Sequence, residues 1–185
     1  MKALSCLPLV LISALILAPG TADAQQHRGH TADHWYAGLG GGRAELRESL
    51  DEDTRFDDAV TGRKAFIGTR GEVLGFELSA VRFDTFSSEE DNGASVGLQG
   101  RTLSATLQMP LDPRFAVYAR WGRFWWRADG DGSDELPDGS GRDRYRGLGA
   151  IIRVSPRIDV LLEYERYRAE SIDPRMTSLS VALRF

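Results

Sequence analysis

Residues 177–185 read TSLSVALRF, and this stretch decides the fold. Every second position has a large apolar side chain, namely Leu179, Val181, Leu183 and Phe185, and small or polar residues fill the positions between them. An alternation of period two is typical of a β-strand with one apolar and one polar face. The segment is also too short for an amphipathic helix, so we predict a strand.

The same alternation recurs along the chain. In residues 74–80, for example, Phe76 and Leu78 alternate with Glu77 and Ser79. Eight segments follow this pattern or complete it, and none has the 3.6-residue repeat of a helix. The predicted strands are 35–43, 64–69, 74–80, 103–109, 117–125, 147–154, 158–164 and 177–185.

The connections between these strands alternate in length. Tight connections at 70–72, 110–113 and 155–157 alternate with polar stretches at 46–61, 84–97, 128–144 and, shorter, 168–175. This alternation is typical of a membrane barrel with short periplasmic turns and longer extracellular loops. The fold class predicted is all-β: an eight-stranded antiparallel up-and-down transmembrane β-barrel, with both termini on the periplasmic side.

The first 24 residues have the three parts of a secretory signal. Lys2 gives a positive start, residues 4–17 are nearly all apolar, and Ala22-Asp23-Ala24 is a cleavage site of small residues. A transmembrane anchor is the alternative, but the apolar run is shorter than the roughly 20 residues that a membrane span needs. We therefore expect cleavage after Ala24 and export.

Residues 25–34 are polar and are expected to form a flexible periplasmic tail before a barrel at 35–185. His27, His30 and His34 lie in this tail. They could bind a metal ion only on a rigid scaffold, which a polar tail with a glycine does not offer, so we predict no metal site.

The orientation of the two faces follows from the cost of charge in lipid. An Arg or Lys that faces the bilayer midplane costs about 2–4 kcal/mol, so the apolar face is expected to point outward. Glu77, Arg120, Glu163 and Arg184 must then point inward or lie near a rim. Eight strands leave room inside only for side chains, so we expect a packed polar interior in which buried charges are paired. The residues that suit the interfacial aromatic belts are Trp35, Trp121, Trp125, Tyr164 and Tyr167.

Several motifs together resemble the transmembrane domain of the outer-membrane protein A family. Residues 35–40, WYAGLG, are similar to its first strand, and 75–78, GFEL, to its third. Residues 117–122, VYARWG, running on to 126–129, are similar to its fifth strand and the loop that follows. Residues 154–164 are similar to its last periplasmic turn and seventh strand.

The resemblance implies an eight-stranded barrel with an interior ion-pair network. It places Glu77, Arg120 and Glu163 at interior positions of that network. Where the family's best-known member has lysines this chain has Gly40 and Thr106. At two further positions Ile151 and Leu161 replace a glutamate and an arginine, so the internal gate of that member is not expected here. Phe185 is similar to the C-terminal signature by which the barrel-assembly machinery recognises its clients.

Composition excludes several classes of function. The net charge is -4, and an acidic exported protein is a poor ligand for nucleic acid. The only cysteine, Cys6, lies in the signal, so no disulfide or thiol chemistry is expected. No histidine follows His34, which leaves no serine–histidine pair for catalysis. Acidic stretches at 51–58 and 129–135 could bind calcium or bridge to lipopolysaccharide through divalent ions, but both favour solvated loops.

The predicted function is therefore that of a structural or surface-interaction barrel without a cofactor or catalytic residue. Its expected partners are outer-membrane lipids and lipopolysaccharide, the barrel-assembly machinery and an extracellular ligand bound by the loops. A narrow channel is the first alternative, although Tyr118, Phe124 and Trp126 on the inward face favour a blocked interior. A lipid-modifying enzyme and a soluble periplasmic barrel with its faces inverted are less favoured.

Overall fold

The described residues form eight β-strands. The computed structural model describes residues 34–49, 55–87, 95–131 and 139–185. The third strand is interrupted at Asp84 and Thr85 and then continues for two residues, Phe86–Ser87. The strands are β1 His34–Ser49, β2 Arg55–Arg70, β3 Leu74–Phe83 with this continuation, β4 Ser95–Pro110, β5 Phe115–Asp131, β6 Gly139–Arg153, β7 Ile158–Tyr167 and β8 Arg175–Arg184. Within these ranges no helix is long and apolar enough to cross a membrane.

Each strand pairs antiparallel with its neighbours in the chain, and β1 pairs with β8 to close the sheet into a barrel. Leu39 lies opposite Val181 in this closing pair. At its end, Trp35 and Phe185 exchange backbone hydrogen bonds of 3.1 and 2.9 Å. Closure leaves the sheet without a free edge. The predicted fold class is confirmed.

The strands extend further toward the long loops than the sequence predicted. Residues 46–61, 84–97 and 128–144 were expected to be loops, yet β1 and β2 remain paired as far as Ser49 and Arg55. In the other two stretches the described strand residues are 86–87 and 95–97, and 128–131 and 139–144. The prediction failed because these extensions have polar outward faces. Their inward positions hold apolar side chains, such as Leu46 and Leu98, which are buried.

The outward face forms an uncharged band. Between the short turns and the first outward charge, six strands have four successive outward positions without a charge, and β2 and β6 have three. On β8 these are Leu183, Val181, Leu179 and Thr177, and Leu179 is 58% exposed. Eight residues of a strand tilted by about 40° cover roughly 20 Å of membrane, close to the apolar band of known barrels. Exposed leucines at such a density indicate a lipid-facing surface.

Four of the five predicted belt aromatics point outward, namely Trp35, Trp121, Trp125 and Tyr164. Tyr167 is the exception, because its side chain is fully buried inside the barrel. It lies beyond Glu163 and Glu165 on the same inward face of β7. The alternation along β7 already indicates that Tyr167 points inward.

The interior is layered, so the expectation of a polar interior throughout is wrong. An ionic centre lies between two apolar layers. The layer toward the short turns includes Phe66, Ile151 and Leu161. The larger layer toward the long loops includes Phe83, Phe124, Tyr145, Tyr167 and Met176.

Inward aromatic side chains lie across glycines on neighbouring strands. Tyr118 faces Gly149 across the β5–β6 pair, and a Cβ atom added at Gly149 would lie 2.4 Å from the Tyr118 ring. Gly40 is equally constrained, because an added Cβ would lie 2.0 Å from the Ser180 hydroxyl oxygen. Glycine in these strands therefore makes room for side chains in a narrow lumen, as expected for close packing.

Several predictions fall on residues outside the described ranges. These are the signal peptide at 1–24, the tail at 25–33 with His27 and His30, and most of the acidic stretches. His34 is described and begins β1, one residue before the predicted start of the barrel.

Substitution of Leu78 by Arg tests the outward band. Leu78 lies midway along the uncharged part of β3 and is half exposed. The substitution Leu78→Arg should lower the free energy of unfolding by about 2–4 kcal/mol, because the charge meets hydrocarbon. The matched control, Leu111→Arg, lies in a short turn and should cost at most about 1 kcal/mol. Denaturant unfolding in lipid vesicles measures both, and equal costs would contradict the assigned lipid face.

Candidate functional site

The structure brings the three predicted interior residues together at the ionic centre. Arg120 Nη1 lies 2.7 Å from Glu77 Oε1 and 3.1 Å from Glu163 Oε1. These residues come from β3, β5 and β7 and point inward because each occupies the polar phase of its strand's alternation. Their side chains are about 1% exposed, so the two ion pairs are fully enclosed.

Two further charged residues, Lys64 and Glu165, complete this centre. A structural ion pair was the expected role of Glu165, whereas Lys64 was not expected here. Lys64 Nζ lies 2.7 Å from Glu163 Oε2 and 2.8 Å from Glu165 Oε1. Lys64 could have been found, because it alternates with the outward Ala65 and Ile67 on β2. The family resemblance did not indicate Lys64, because position 64 is not one of the positions at which the family's best-known member has a lysine.

Hydroxyl groups also donate to the carboxylates of this centre. The centre contains three carboxylates and two cations. Ion pairing alone therefore leaves some carboxylate oxygens without a hydrogen-bond donor. Tyr36 donates to Glu77 Oε2 at 2.9 Å, Tyr118 to Glu163 Oε1 at 2.6 Å and Ser180 to Glu163 Oε2 at 2.9 Å. The Tyr145 hydroxyl donates to Glu165. Such a network is stable in a buried site because its charged members have partners.

A second ionic group lies at the short-turn end of the lumen. Asp159 is fully buried; it accepts a hydrogen bond from Arg70 Nη1 at 3.0 Å and forms an ion pair with Arg184 Nε at 3.2 Å. Arg184 also donates to the carbonyl of Ser155 in the last short turn at 2.7 Å. The placement of Arg184 at the rim agrees with its predicted position. These bonds tie β2, β7 and β8 together where the barrel closes.

Aromatic rings fill the other half of the lumen. Tyr167 lies 5.3 Å from Phe83, 5.2 Å from Phe124 and 5.1 Å from Tyr145, measured between ring centroids. Tyr167 is thus surrounded by rings from three other strands. This packing closes the lumen above the ionic centre.

The connection from β7 to β8 covers this aromatic layer. Ala169 and Ile172 form an isolated bridge and are fully buried. Between them Glu170 adopts a positive φ of 53°, and its N–H donates to Asp143 Oδ2 at 3.1 Å. Trp126 Nε1 donates to the same oxygen at 3.0 Å. Partial burial alone would raise the pKa of Asp143, but these two hydrogen bonds lower it.

The chemistry available inside the barrel is structural. Glu163 and Glu165 are enclosed and held by cations, so they cannot meet a substrate. Among the described side chains, no group of three or more His, Cys, Asp or Glu could hold a metal ion. Phe185 contributes to closure through its backbone, while its side chain is 71% exposed and points away from the lumen.

A family model for the OmpA-like transmembrane domain matches residues 30–178. The chain belongs to the OmpA-like transmembrane domain family. As an OmpA-like barrel it is a protein of the outer membrane of Gram-negative bacteria. Its short turns are then periplasmic and its long loops extracellular. A comparison with curated proteins found no significant match.

Solved structures of small outer-membrane barrels share the fold of this OmpA-like chain. The attachment invasion locus protein Ail of Yersinia pestis, solved in complex with the heparin analogue sucrose octasulfate, is 14% identical with a TM-score of 0.58. The match covers 83% of this chain and 99% of Ail. Neisserial surface protein A is 15% identical with a TM-score of 0.60, covering 82% of this chain and 97% of that protein. Pseudomonas aeruginosa OprG is 13% identical with a TM-score of 0.53, covering 85% and 98%.

Substitution of Arg120 tests the ionic centre of this OmpA-like barrel. The substitution Arg120→Met removes the cation between Glu77 and Glu163 and should lower the free energy of unfolding by about 3–5 kcal/mol, because buried carboxylates lose their partner. Neutralising one of them with Glu77→Gln in the same chain should recover part of that loss. The control Arg127→Met, on the exposed face of β5, should change stability by less than about 0.5 kcal/mol. A similar loss in both single variants would show that the buried pairs have no special role.

Proposed function

We propose that this protein is a structural, surface-interaction barrel whose strands anchor it in the outer membrane. Its extracellular loops are the part that acts, in adhesion or in envelope integrity. The observation that supports this most strongly is the filled lumen. The OmpA-like fold leaves function to the loops when its interior offers no path and no reactive group.

The lumen is obstructed at three successive levels. At the periplasmic rim Asp159 joins two arginines, in the middle Arg120 lies among carboxylates, and beyond it Tyr167 packs among aromatic rings. The buried Ile172 packs with the aromatic layer toward the long loops. A solute would have to displace each level in turn, which disfavours the narrow-channel alternative.

An enzymatic role is disfavoured by the same enclosure. The carboxylates that could act as acid and base, Glu163 and Glu165, are bound by Lys64 and lie where lipid cannot reach them. The described extracellular end contains no histidine that could activate a serine or a water. A lipid-modifying reaction would therefore lack its proton acceptor.

The names of two structural relatives agree with a surface role. Ail is an attachment invasion protein that was solved with a heparin analogue, and the Neisserial protein is named as a surface protein. Their likeness to this chain shows a shared fold. The surface role proposed here is based on the filled lumen and the position of the loops.

Planar-bilayer recording tests the proposal against the channel alternative. The purified, refolded barrel should give no sustained single-channel steps, because the lumen is obstructed at every level. A variant with Phe124→Ala and Tyr167→Ala removes two rings of the extracellular layer and should raise the frequency of brief openings, which shows that the assay detects this barrel. Sustained steps from the unaltered protein would overturn the proposal, and so would a mass change in lipid A when the protein is expressed.

A further inference from the structure

Each strand leaves the lipid-facing band at an arginine. The first charged outward residue above the band is Arg on all eight strands, and we call this set the arginine collar. Seven of these side chains are exposed, and Arg166 is partly exposed. The members are Arg43, Arg63, Arg82, Arg101, Arg123, Arg146, Arg166 and Arg175.

The register shows that the collar is level. From β2 to β3, β6 to β7 and β7 to β8 the arginines are directly paired, as in Arg63 with Arg82. At the other five junctions, the arginine of the next strand lies two residues nearer the short turns than the residue that pairs directly. For example, Arg82 pairs directly with Gln99, and the β4 member of the collar is Arg101. In a closed barrel the strands are tilted, so residues at the same height on neighbouring strands are offset in register in one direction. The observed offsets therefore place the eight arginines at about the same height.

The direct pairs place like charges side by side. Arg63 opposes Arg82, and Arg166 lies between Arg146 and Arg175. Side chains directly opposite on a sheet lie about 5 Å apart at Cβ, so like charges there destabilise the pair. An anion between them would remove the repulsion.

The protein itself supplies few anions to the collar. Arg43 pairs with Glu45 at 3.1 Å, and Arg166 pairs with Asp173. Among the side chains that the structure describes, none forms an ion pair with the other six members. The opposite edge of the band is different, because the outward positions next to the periplasmic turns are apolar or aromatic on seven strands and Thr69 on β2. The charge therefore distinguishes the two leaflets.

The choice of arginine indicates the chemistry of the ligand. Of the 23 basic residues in the chain only Lys2 and Lys64 are lysine, and Lys64 is buried in the ionic centre. A guanidinium offers paired donors that match a phosphate, whereas an ammonium acts as a point charge. A level ring of such groups fits phosphates held at one depth.

A shallow, open groove lies at the collar on the outer face of the barrel. Arg63, Arg82 and Arg101 line it together with Leu39 and Trp125. Leu39 is 71% exposed. The groove thus offers guanidinium groups next to apolar surface, as an amphiphile with a phosphate above its acyl chains requires.

We infer that the collar binds the phosphate groups of the outer-leaflet glycolipid, lipopolysaccharide, with the groove at Arg63 and Arg82 as the main site. This inference rests on the proposed function and deepens it, because it gives the expected partner, lipopolysaccharide, a binding site of named residues. Binding is direct, through arginine. The acidic stretches at 51–58 and 129–135 are not needed as bridges through divalent ions.

Titration with lipid A tests the collar. The refolded protein in detergent is titrated with bisphosphorylated lipid A and with the same lipid A after removal of its phosphates, and native mass spectrometry counts the bound lipid. The substitution pair Arg63→Gln and Arg82→Gln should weaken binding of the phosphorylated form about tenfold or more, because charged hydrogen bonds are lost. The unaltered protein should bind the dephosphorylated form as weakly as this variant binds the phosphorylated one.

Two further variants separate charge from geometry and from position. The pair Arg63→Lys and Arg82→Lys keeps the charge and should show an intermediate loss, because lysine lacks the paired donors. The matched control, Arg114→Gln with Arg157→Gln, removes two exposed arginines at the periplasmic turns and should leave lipid A affinity unchanged. Heat-modifiable gel mobility confirms that every variant is folded.

The inference is overturned if the Gln pair binds lipid A within twofold of the unaltered protein, if phosphate removal has no effect, or if the periplasmic control loses as much affinity. It is also overturned if sucrose octasulfate or inorganic phosphate in solution binds as tightly as lipid A, since the collar would then serve a soluble anion. Bilayer recordings separate the two proposals. If the lumen does not conduct and the Gln pair binds lipid A normally, only the collar inference is refuted. If the lumen conducts and the Gln pair binds lipid A weakly, only the surface-barrel function is refuted.

Discussion

The closing pair between β1 and β8 is the constraint on which the rest of the structure depends. Hydrocarbon offers no partner to a backbone N–H or carbonyl, so a sheet in lipid must bond to itself all the way round. Here the pairing runs from the Trp35–Phe185 bonds at one end to Glu45 and Arg175 at the other. Once eight strands are closed, the lumen is only wide enough for side chains. Its narrowness explains the inward glycines and the dense packing around Arg120.

Charge is sorted by depth and by side. Inside, Lys64 and Arg120 are matched by carboxylates and hydroxyls within hydrogen-bonding distance. Outside, the lipid-facing band has no charge, and arginines begin on all strands at the same height. The two patterns have one origin, since a charge in this protein is stable only where a counter-charge or water is in reach. The interior provides counter-charges from the chain, and the collar lies where water and the headgroups of the outer leaflet are in reach.

Much of this arrangement could be read from the sequence. The alternation along the eight predicted segments indicated the number of strands, their faces and the inward direction of Glu77, Arg120 and Glu163. The extent of the strands could not be read, because β1 and β2 continue through a polar stretch in which inward apolar side chains such as Leu46 and Val60 are few. The sequence also does not indicate which charged residues pair with each other. The assignment of Lys64 to Glu163 and Glu165 depends on which strands meet across the lumen, and a single strand does not contain that information.

The layered interior shows the same limit. Phe83, Phe124 and Tyr167 lie far apart in the chain and come together only because the barrel closes. A pattern on one strand indicates an inward aromatic, but it does not show that four rings meet at one height. Tyr167 was assigned to the interfacial belt for this reason, although its phase on β7 already pointed inward.

The most direct measurement of the central claim is the surroundings of neighbouring side chains on β8. Spin labels are attached to single cysteines at position 179 or 180, with Cys6→Ser in both chains, and the barrel is reconstituted in lipid vesicles. We predict frequent collisions with dissolved oxygen and few with a water-soluble nickel chelate at position 179. At position 180 both collision rates should be low, since Ser180 is buried next to Glu163. A water-exposed label at 179, or an oxygen-accessible label at 180, would contradict the account.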